Sequence, residues 1–188
     1  LRAMRSHIDS LGPGADASWE ALQALKSQWH GQVELQLVAL LPIAHWATSA
    51  GAQRARRVAA RGGLLGGVVV PPCRGESVRR DLRAMLRLAE ELGCGVDLHI
   101  DEASHGAAEG LQQLLLVLEQ VPCNQPITCS HASSLALLSP RRLQRLADRM
   151  AAHRLQVVAL PLTNGWLLGQ SPQATPLRRP LAPIRQLQ

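Results

Sequence analysis

Strand-like and helix-like stretches alternate along this chain of 188 residues, and the alternation limits the folds that it can adopt. Apolar segments of strand length recur about every thirty residues, separated by stretches whose apolar residues follow helical spacing. Because such alternation is typical of parallel βα units, the sequence predicts an α/β protein. The predicted strands cover residues 2–9, 33–41, 64–70, 96–102, 126–131 and 156–161.

A sheet of parallel βα units can stay open or close into a barrel. Neither G-x-G-x-x-G nor G-x-x-x-x-G-K follows the first predicted strand, which argues against an open nucleotide-binding sheet. Polar side chains instead follow several different strands, and barrel enzymes assemble their sites from such strand ends. We therefore expect the barrel.

The segment from Val96 to Glu102 carries the clearest functional pattern. Its alternation places Asp97 and His99 on one face of a strand and apolar side chains on the other. Glu102 follows His99 by three residues, so its carboxylate can reach a water molecule held by the imidazole or by a metal bound to it. Ordinary strands that end in a charged surface loop show the same short pattern, so the segment alone does not decide between the two interpretations.

Polar residues on other predicted strands strengthen the functional interpretation. In a barrel, His7, Gln36 and His131 would lie around the same mouth as His99 and Glu102. This set is typical of metal-dependent hydrolysis, in which a divalent metal lowers the pKa of bound water. Glu102 would take the proton of that water, and His131 would stabilise the charge that develops on oxygen.

Charge and hydropathy exclude two classes of partner. The formal net charge is +6, and arginine carries almost all of the positive charge because Lys26 is the only lysine. The chain has no Phe or Tyr to stack on bases, so we expect no nucleic-acid partner. No apolar run reaches the length of a membrane span, so we expect no membrane partner either.

The four cysteines lack C-x-x-C spacing. We expect them to be reduced, as in a cytoplasmic protein. A structural zinc site of Cys123, Cys129 and His131 is an alternative, but its spacing matches no common zinc finger.

Five segments resemble the bacterial cytosine deaminase branch of the amidohydrolase superfamily in their order and approximate spacing. They are Arg5–Asp9, Glu34–Ala39, Asp97–Glu102, Cys129–His131 and Leu160–Asn164. The resemblance spans essentially the whole chain, and the segments are more specific together than singly.

The resemblance implies a (βα)8 barrel with one catalytic iron or zinc ion, which hydrolyses an exocyclic amine from a small pyrimidine-like, nucleobase-like ring. His99 resembles the metal ligand of strand five, and Glu102 the residue that passes a proton from metal-bound water to a ring nitrogen. His131 resembles the histidine that contacts the attacking water, and Gln36 the glutamine that hydrogen-bonds the substrate ring. Residues 64–70 contain no lysine, so the one-metal form fits better than the form with two metals and a carboxylated lysine.

Two parts of the family pattern are missing from the chain. The His-x-His metal pair should precede Leu1, and the metal-binding aspartate should follow Gln188. The resemblance therefore implies an incomplete (βα)8 TIM barrel covering about strands two to seven, with residues 1–188 as one partial domain. We expect this chain to be inactive alone, and a homo-oligomer is compatible with it. The alternatives are an amidohydrolase acting on another ring, such as a triazine or isoguanine, and a barrel remnant without catalysis.

Overall fold

The computed structural model describes residues 2–167 and 181–188. The strands are β1 (Ala3–Asp9), β2 (Glu34–Pro42), β3 (Leu64–Val69), β4 (Val96–Ile100), β5 (Ile127–His131) and β6 (Gln156–Val158). The α-helices are α1 (Ala15–Gln28), α2 (Ser49–Ala60), α3 (Glu76–Leu92), α4 (Glu109–Leu118), α5 (Pro140–Ala152), α6 (Pro161–Leu167) and α7 (Ile184–Leu187). Short 3-10 helices follow β2 at Ile43–Ala47 and β5 at Ser133–Leu137. The predicted alternation of strands and helices is confirmed.

The strands form one parallel sheet in the order β1-β2-β3-β4-β5-β6. Arg5 on β1 donates a hydrogen bond to the hydroxyl of Thr128 on β5, over 3.0 Å. In a flat sheet these strands would be about 19 Å apart, at about 4.8 Å per strand. The sheet is therefore curled into part of a barrel. The numbering of its strands as two to seven of a complete barrel stays a prediction.

The main core lies between the convex face of the sheet and the helices. Leu37, Leu65 and Leu98 point to this face from β2, β3 and β4 and are fully buried. They alternate along the strands with residues of the concave face, as the period of two predicts. The helices cover the convex face with apolar side chains at helical spacing, as in α3, where Leu82, Met85, Leu86 and Ala89 are buried.

Strand β3 differs from its prediction. Its continuous apolar run predicts burial on both faces, but Val68 on the concave side is 41% exposed. Gly66 lies two residues before Val68 and on the same face of β3. A Cβ atom there would lie 2.5 Å from Cγ1 of Val38 and 2.8 Å from the carbonyl oxygen of Ala39, both of which are too close. Glycine at this position allows β2 and β3 to approach closely inside the curled sheet.

The segment after β6 also differs from its prediction. The composition of residues 162–165, which follow the last predicted strand, predicts a loop. The backbone instead forms α6, and the N–H of Asn164 donates to the carbonyl of Leu160 over 2.9 Å. This helix places the side chain of Asn164 in a buried position facing the ends of β4 and β5. Among the described helices, none has the length and hydropathy needed to cross a membrane.

Candidate active site

Polar side chains line the concave face of the sheet around a cleft of about 510 Å³. The strands contribute Arg5 and His7 from β1, Gln36 from β2, Asp97 from β4, and Thr128 and Ser130 from β5. His99, Glu102 and His131 lie beside this cleft, where β4 and β5 end. The structure therefore brings the predicted residues of β4 and β5 together at one end of the sheet.

His99, His131 and Glu102 form a chain of contacts. Nδ1 of His99 lies 3.3 Å from Nε2 of His131, and Nδ1 of His131 lies 3.1 Å from Oε1 of Glu102. The side chain of Glu102 is 19% exposed, while that of His131 is 4% exposed. The carboxylate thus stays accessible to a small molecule while it contacts the buried imidazole.

Backbone geometry at the end of β5 orients the side chain of His131. His131 has a positive φ of 73° and Ala132 one of 48°, so the chain turns sharply at the end of β5. Non-glycine residues rarely adopt this left-handed region, and its cost is of the order of 1 kcal/mol or more. The turn directs the ring of His131 toward His99 and Glu102 instead of following the alternation of the strand.

Asp101 and Glu102 are adjacent carboxylates with different surroundings. Asp101 is fully buried and accepts hydrogen bonds from the backbone N–H groups of Gly110 and Leu111, each over 2.9 Å. Burial raises the pKa of Asp101 to about 6, although those N–H groups act in the opposite direction. Asp101 anchors the start of α4 to the end of β4, which leaves Glu102 as the carboxylate that faces the site.

Asn164 connects the two predicted catalytic residues. Its amide nitrogen donates to Oε1 of Glu102 over 3.2 Å and lies 2.9 Å from Nδ1 of His131. Asn164 is only 1% exposed, so these contacts are shielded from solvent. Asn164 lies in the segment Leu160–Asn164 of the family resemblance, and no role was predicted for it. The signal present in the sequence was an amide soon after the last strand.

Asp97 is a second residue that sequence reasoning left without a role. It is 1% exposed, and Nη1 of Arg5 and Oγ of Ser130 donate to its oxygens over 2.5 and 2.9 Å. Burial acts to raise the pKa of Asp97, but contacts with His7 and Arg5 outweigh it and lower the pKa. Asp97 is therefore a buried anion in the wall of the cleft.

His99 has the properties of a metal ligand. Burial lowers its pKa to about 4, and the neighbouring His7 and His131 act in the same direction. The ring is therefore neutral near pH 7, as metal coordination requires. Its Nε2 atom is buried and has no hydrogen-bond partner among the described residues. Among residues 2–167 and 181–188, two groups that contain His99 could hold an ion: one with His7 and Asp97, and one with Glu102 and His131.

Gln36 also lies on the concave face, as predicted. Its Oε1 atom accepts hydrogen bonds from Nε and Nη2 of Arg5 over 3.0 and 2.9 Å. Because a guanidinium only donates, this contact fixes the orientation of the amide. The amide nitrogen of Gln36 is the group left to bind another molecule.

The cysteine alternative finds no support among the residues that the structure describes. None of the four cysteines belongs to a group that could hold a metal, and all four are free thiols. Cys129 is fully buried on the convex side of the sheet, and burial raises the pKa of its thiol. A protonated, enclosed thiol is a poor metal ligand.

No family model matches the chain. A pterin deaminase from Rhizobium rhizogenes is 29% identical over 185 residues, which are 98% of this chain and 42% of that protein. The chain thus spans less than half the length of this curated relative.

Solved structures show the same partial likeness. A 5-methylcytosine deaminase from Klebsiella pneumoniae, solved with 5-fluorocytosine, matches with a TM-score of 0.78 and 22% identity over 100% of this chain and 45% of its own. This likeness shows the fold.

An N-isopropylammelide isopropylaminohydrolase from Burkholderia multivorans matches with a TM-score of 0.67 and 26% identity, over 82% of this chain and 40% of its own. With the five sequence segments, these likenesses support the assignment of the chain to the cytosine deaminase-like amidohydrolases, as a part that covers less than half of their length.

Proposed function

We propose that this chain is part of a metal-dependent hydrolase that releases ammonia from an aminopyrimidine ring, either single as in cytosine or fused as in pterin. The observation that carries the proposal is the contact of Glu102 with His131, 3.1 Å apart, beside Nε2 of His99, which has no partner in the part of the chain that the structure describes. Hydrolysis by metal-activated water requires a carboxylate near a neutral imidazole that has a nitrogen left to bind the metal. The relatives that act on pterin and 5-methylcytosine support this class of ring.

His99 would hold the divalent ion, iron or zinc, because its imidazole is neutral and its Nε2 atom has no other described partner. When bound, such an ion lowers the pKa of water so that hydroxide is available at neutral pH. In the family that the sequence resembles, further ligands come from segments outside this chain.

Glu102 would act as the general base and then as the acid. Its carboxylate would take a proton from the attacking water and give it to a ring nitrogen, which prepares the amine to leave. His131 contacts both Glu102 and His99, so its ring is positioned to stabilise charge on the attacking oxygen. Asn164 holds Glu102 and His131 in place.

Gln36 would orient the substrate ring. Since Arg5 occupies the carbonyl oxygen of Gln36, the amide nitrogen is left to donate a hydrogen bond. It would pair with an acceptor on the ring edge, such as a carbonyl oxygen or an unprotonated ring nitrogen.

A second candidate is hydrolysis of an amine on another ring, such as a triazine or isoguanine. The likeness to the N-isopropylammelide isopropylaminohydrolase favours this second candidate, because the chain is 26% identical to that hydrolase over the matched region. The cytoplasmic location, the homo-oligomer and the inactivity of the chain alone stay predictions from the sequence.

The test is release of ammonia from cytosine, 5-methylcytosine, pterin and isoguanine. The protein assayed carries this chain together with the flanking segments that its relatives possess, loaded with iron or with zinc. Turnover of an aminopyrimidine that is lost in Glu102→Gln supports the proposal. Turnover of isoguanine alone favours the second candidate, and no turnover of any ring favours a remnant without catalysis.

A further inference from the structure

A groove of about 350 Å³ lies between α4 and α5, two of the helices that cover the convex face of the sheet. Its described lining residues include none of those that line the cleft of the concave face. Leu116, Leu138 and Leu146 give the groove an apolar wall, and Leu116 is 37% exposed. Pockets that bind small molecules measure about 300–1,000 Å³ and combine such walls with a few polar groups. The groove therefore has the dimensions of a ligand site.

Three arginines of α5 supply the polar groups of this groove. Arg142, Arg145 and Arg149 are spaced by three and four residues, which places them on one face of the helix. Nη2 of Arg149 lies 2.7 Å from Oε1 of Glu119. Arg142 and Arg145 form no ion pair and no side-chain hydrogen bond with any residue that the structure describes. The groove therefore keeps two positive charges that repel each other and have no anion.

In helix α3, by contrast, the arginines find their anions within the chain. Arg79 and Arg83 both lie against the carboxylate of Glu76, over 2.9 and 3.3 Å. Arg80 pairs with Asp81 over 3.0 Å. The two unpaired arginines of α5 have the same side chain but lack such an acceptor among the described residues. An anion from outside the chain would complete the groove as Glu76 completes the cluster on α3.

We propose that the groove between α4 and α5 binds an aromatic phosphate monoester, of the class of nucleoside monophosphates. A phosphoryl group carries about −1.5 to −2 charges at pH 7, which matches the two unpaired guanidiniums. Its terminal oxygens accept the forked hydrogen bonds of both Arg142 and Arg145. A carboxylate has a single charge and fewer oxygens, so it would leave one guanidinium unpaired.

The rest of such a ligand also finds partners in the groove. Its aromatic ring packs against Leu116 and Leu138, and a guanidinium can stack on the face of that ring. Gln112 lines the same groove, and its amide nitrogen donates to the carbonyl of Ala107 over 3.3 Å. This leaves its Oε1 atom to accept a hydrogen bond from a sugar hydroxyl. None of these residues belongs to the candidate active site, so the proposal does not depend on the deaminase activity.

The test is a calorimetric titration, with AMP, of the protein that carries this chain and its flanking segments. A chelator first removes any metal, so that phosphate cannot bind an ion. The salt concentration is about 0.15 M, at which distant charges are screened. We expect one AMP per chain. Adenosine and inorganic phosphate each offer only part of the contacts and should bind at least tenfold more weakly.

Two variants test the groove itself. Arg142→Gln combined with Arg145→Gln should weaken AMP binding at least tenfold. Leu116→Glu should have the same effect, because its carboxylate would pair with the arginines in place of phosphate. The matched control combines Arg56→Gln with Arg87→Gln, which removes the same charge from exposed positions of α2 and α3. This control should bind AMP as tightly as the original protein.

Far-UV circular dichroism confirms that each variant is folded. The absence of AMP binding would overturn the proposal, as would adenosine binding as tightly as AMP. AMP binding that both groove variants retain would place the ligand elsewhere and would also overturn it. Equal weakening in the groove variants and the control would indicate a diffuse surface for polyanions instead of a site. Turnover is not measured, so the result is separate from that of the deaminase assay.

Discussion

The convex and concave faces of the sheet are built from alternate residues of the same strands, yet they depend on different interactions. On the convex face, Leu37 and Leu98 are fully buried among apolar side chains. On the concave face, Arg5 and Asp97 are held by directional contacts that cross several strands. Apolar burial is non-directional, so the convex face chiefly stabilises the fold. The concave face holds specific groups in position for chemistry.

This contrast makes a general prediction about substitutions. A change on the convex face should lower the free energy of unfolding without altering what the folded site does. A change at the end of β4 or in α6 should alter the site while leaving most of the stability intact.

The largest effect is expected for Leu98→Ala on the convex face. Leu98 is fully buried, and removing its side chain should lower the free energy of unfolding by about 4 kcal/mol. Urea denaturation measures the loss. Leu98→Met, which nearly conserves volume, should cost less than about 1.5 kcal/mol. Equal losses in the two variants would contradict the packing argument.

Arg5→Met should lower the free energy of unfolding by about 3 kcal/mol, because Asp97 would stay buried without its cation. This result would show that one concave contact also supports the fold. The double variant Arg5→Met with Asp97→Asn should recover part of the loss, as urea denaturation would reveal. An unchanged stability of Arg5→Met would mean that Ser130 alone satisfies Asp97.

Glu102→Gln should lower turnover by about 10² or more in the protein that carries the flanking segments, because an amide cannot accept the proton. Metal content and the free energy of unfolding should stay the same. Glu20→Gln, at an exposed carboxylate of α1, is the control and should be fully active. Retained turnover in Glu102→Gln would rule out the role assigned to this residue.

Asn164→Ala should lower turnover about tenfold, the effect typical of losing an outer partner of a site residue. Asn164 touches Glu102 and His131, so the loss should appear in kcat at unchanged metal content. Asn124→Ala, which removes an amide that binds Glu90 on the outer surface, should keep kcat. An effect of Asn164→Ala on unfolding but not on kcat would indicate a purely structural residue.

Much of the fold could be predicted because its signals are local. The spacing of apolar residues gave the order of strands and helices, and alternation gave the two faces of β2 and β4. The meeting of His99, Glu102 and His131 followed from parallel strands, whose carboxyl ends share one edge of a sheet. These inferences need only the sequence and the geometry of βα units.

The rest was decided by contacts between distant segments. Residues 162–165 have the composition of a turn, and only the position of α6 beside β4 and β5 explains why Asn164 binds Glu102. Likewise, no local pattern shows that Arg5 reaches Thr128 across the curled sheet, or that His7 lies against His99. The sequence by itself determined which strands carry the candidate residues His99, Glu102 and His131 to one end of the sheet. The tertiary structure decided their partners, because curling of the sheet sets distances that periodicity along a strand does not contain.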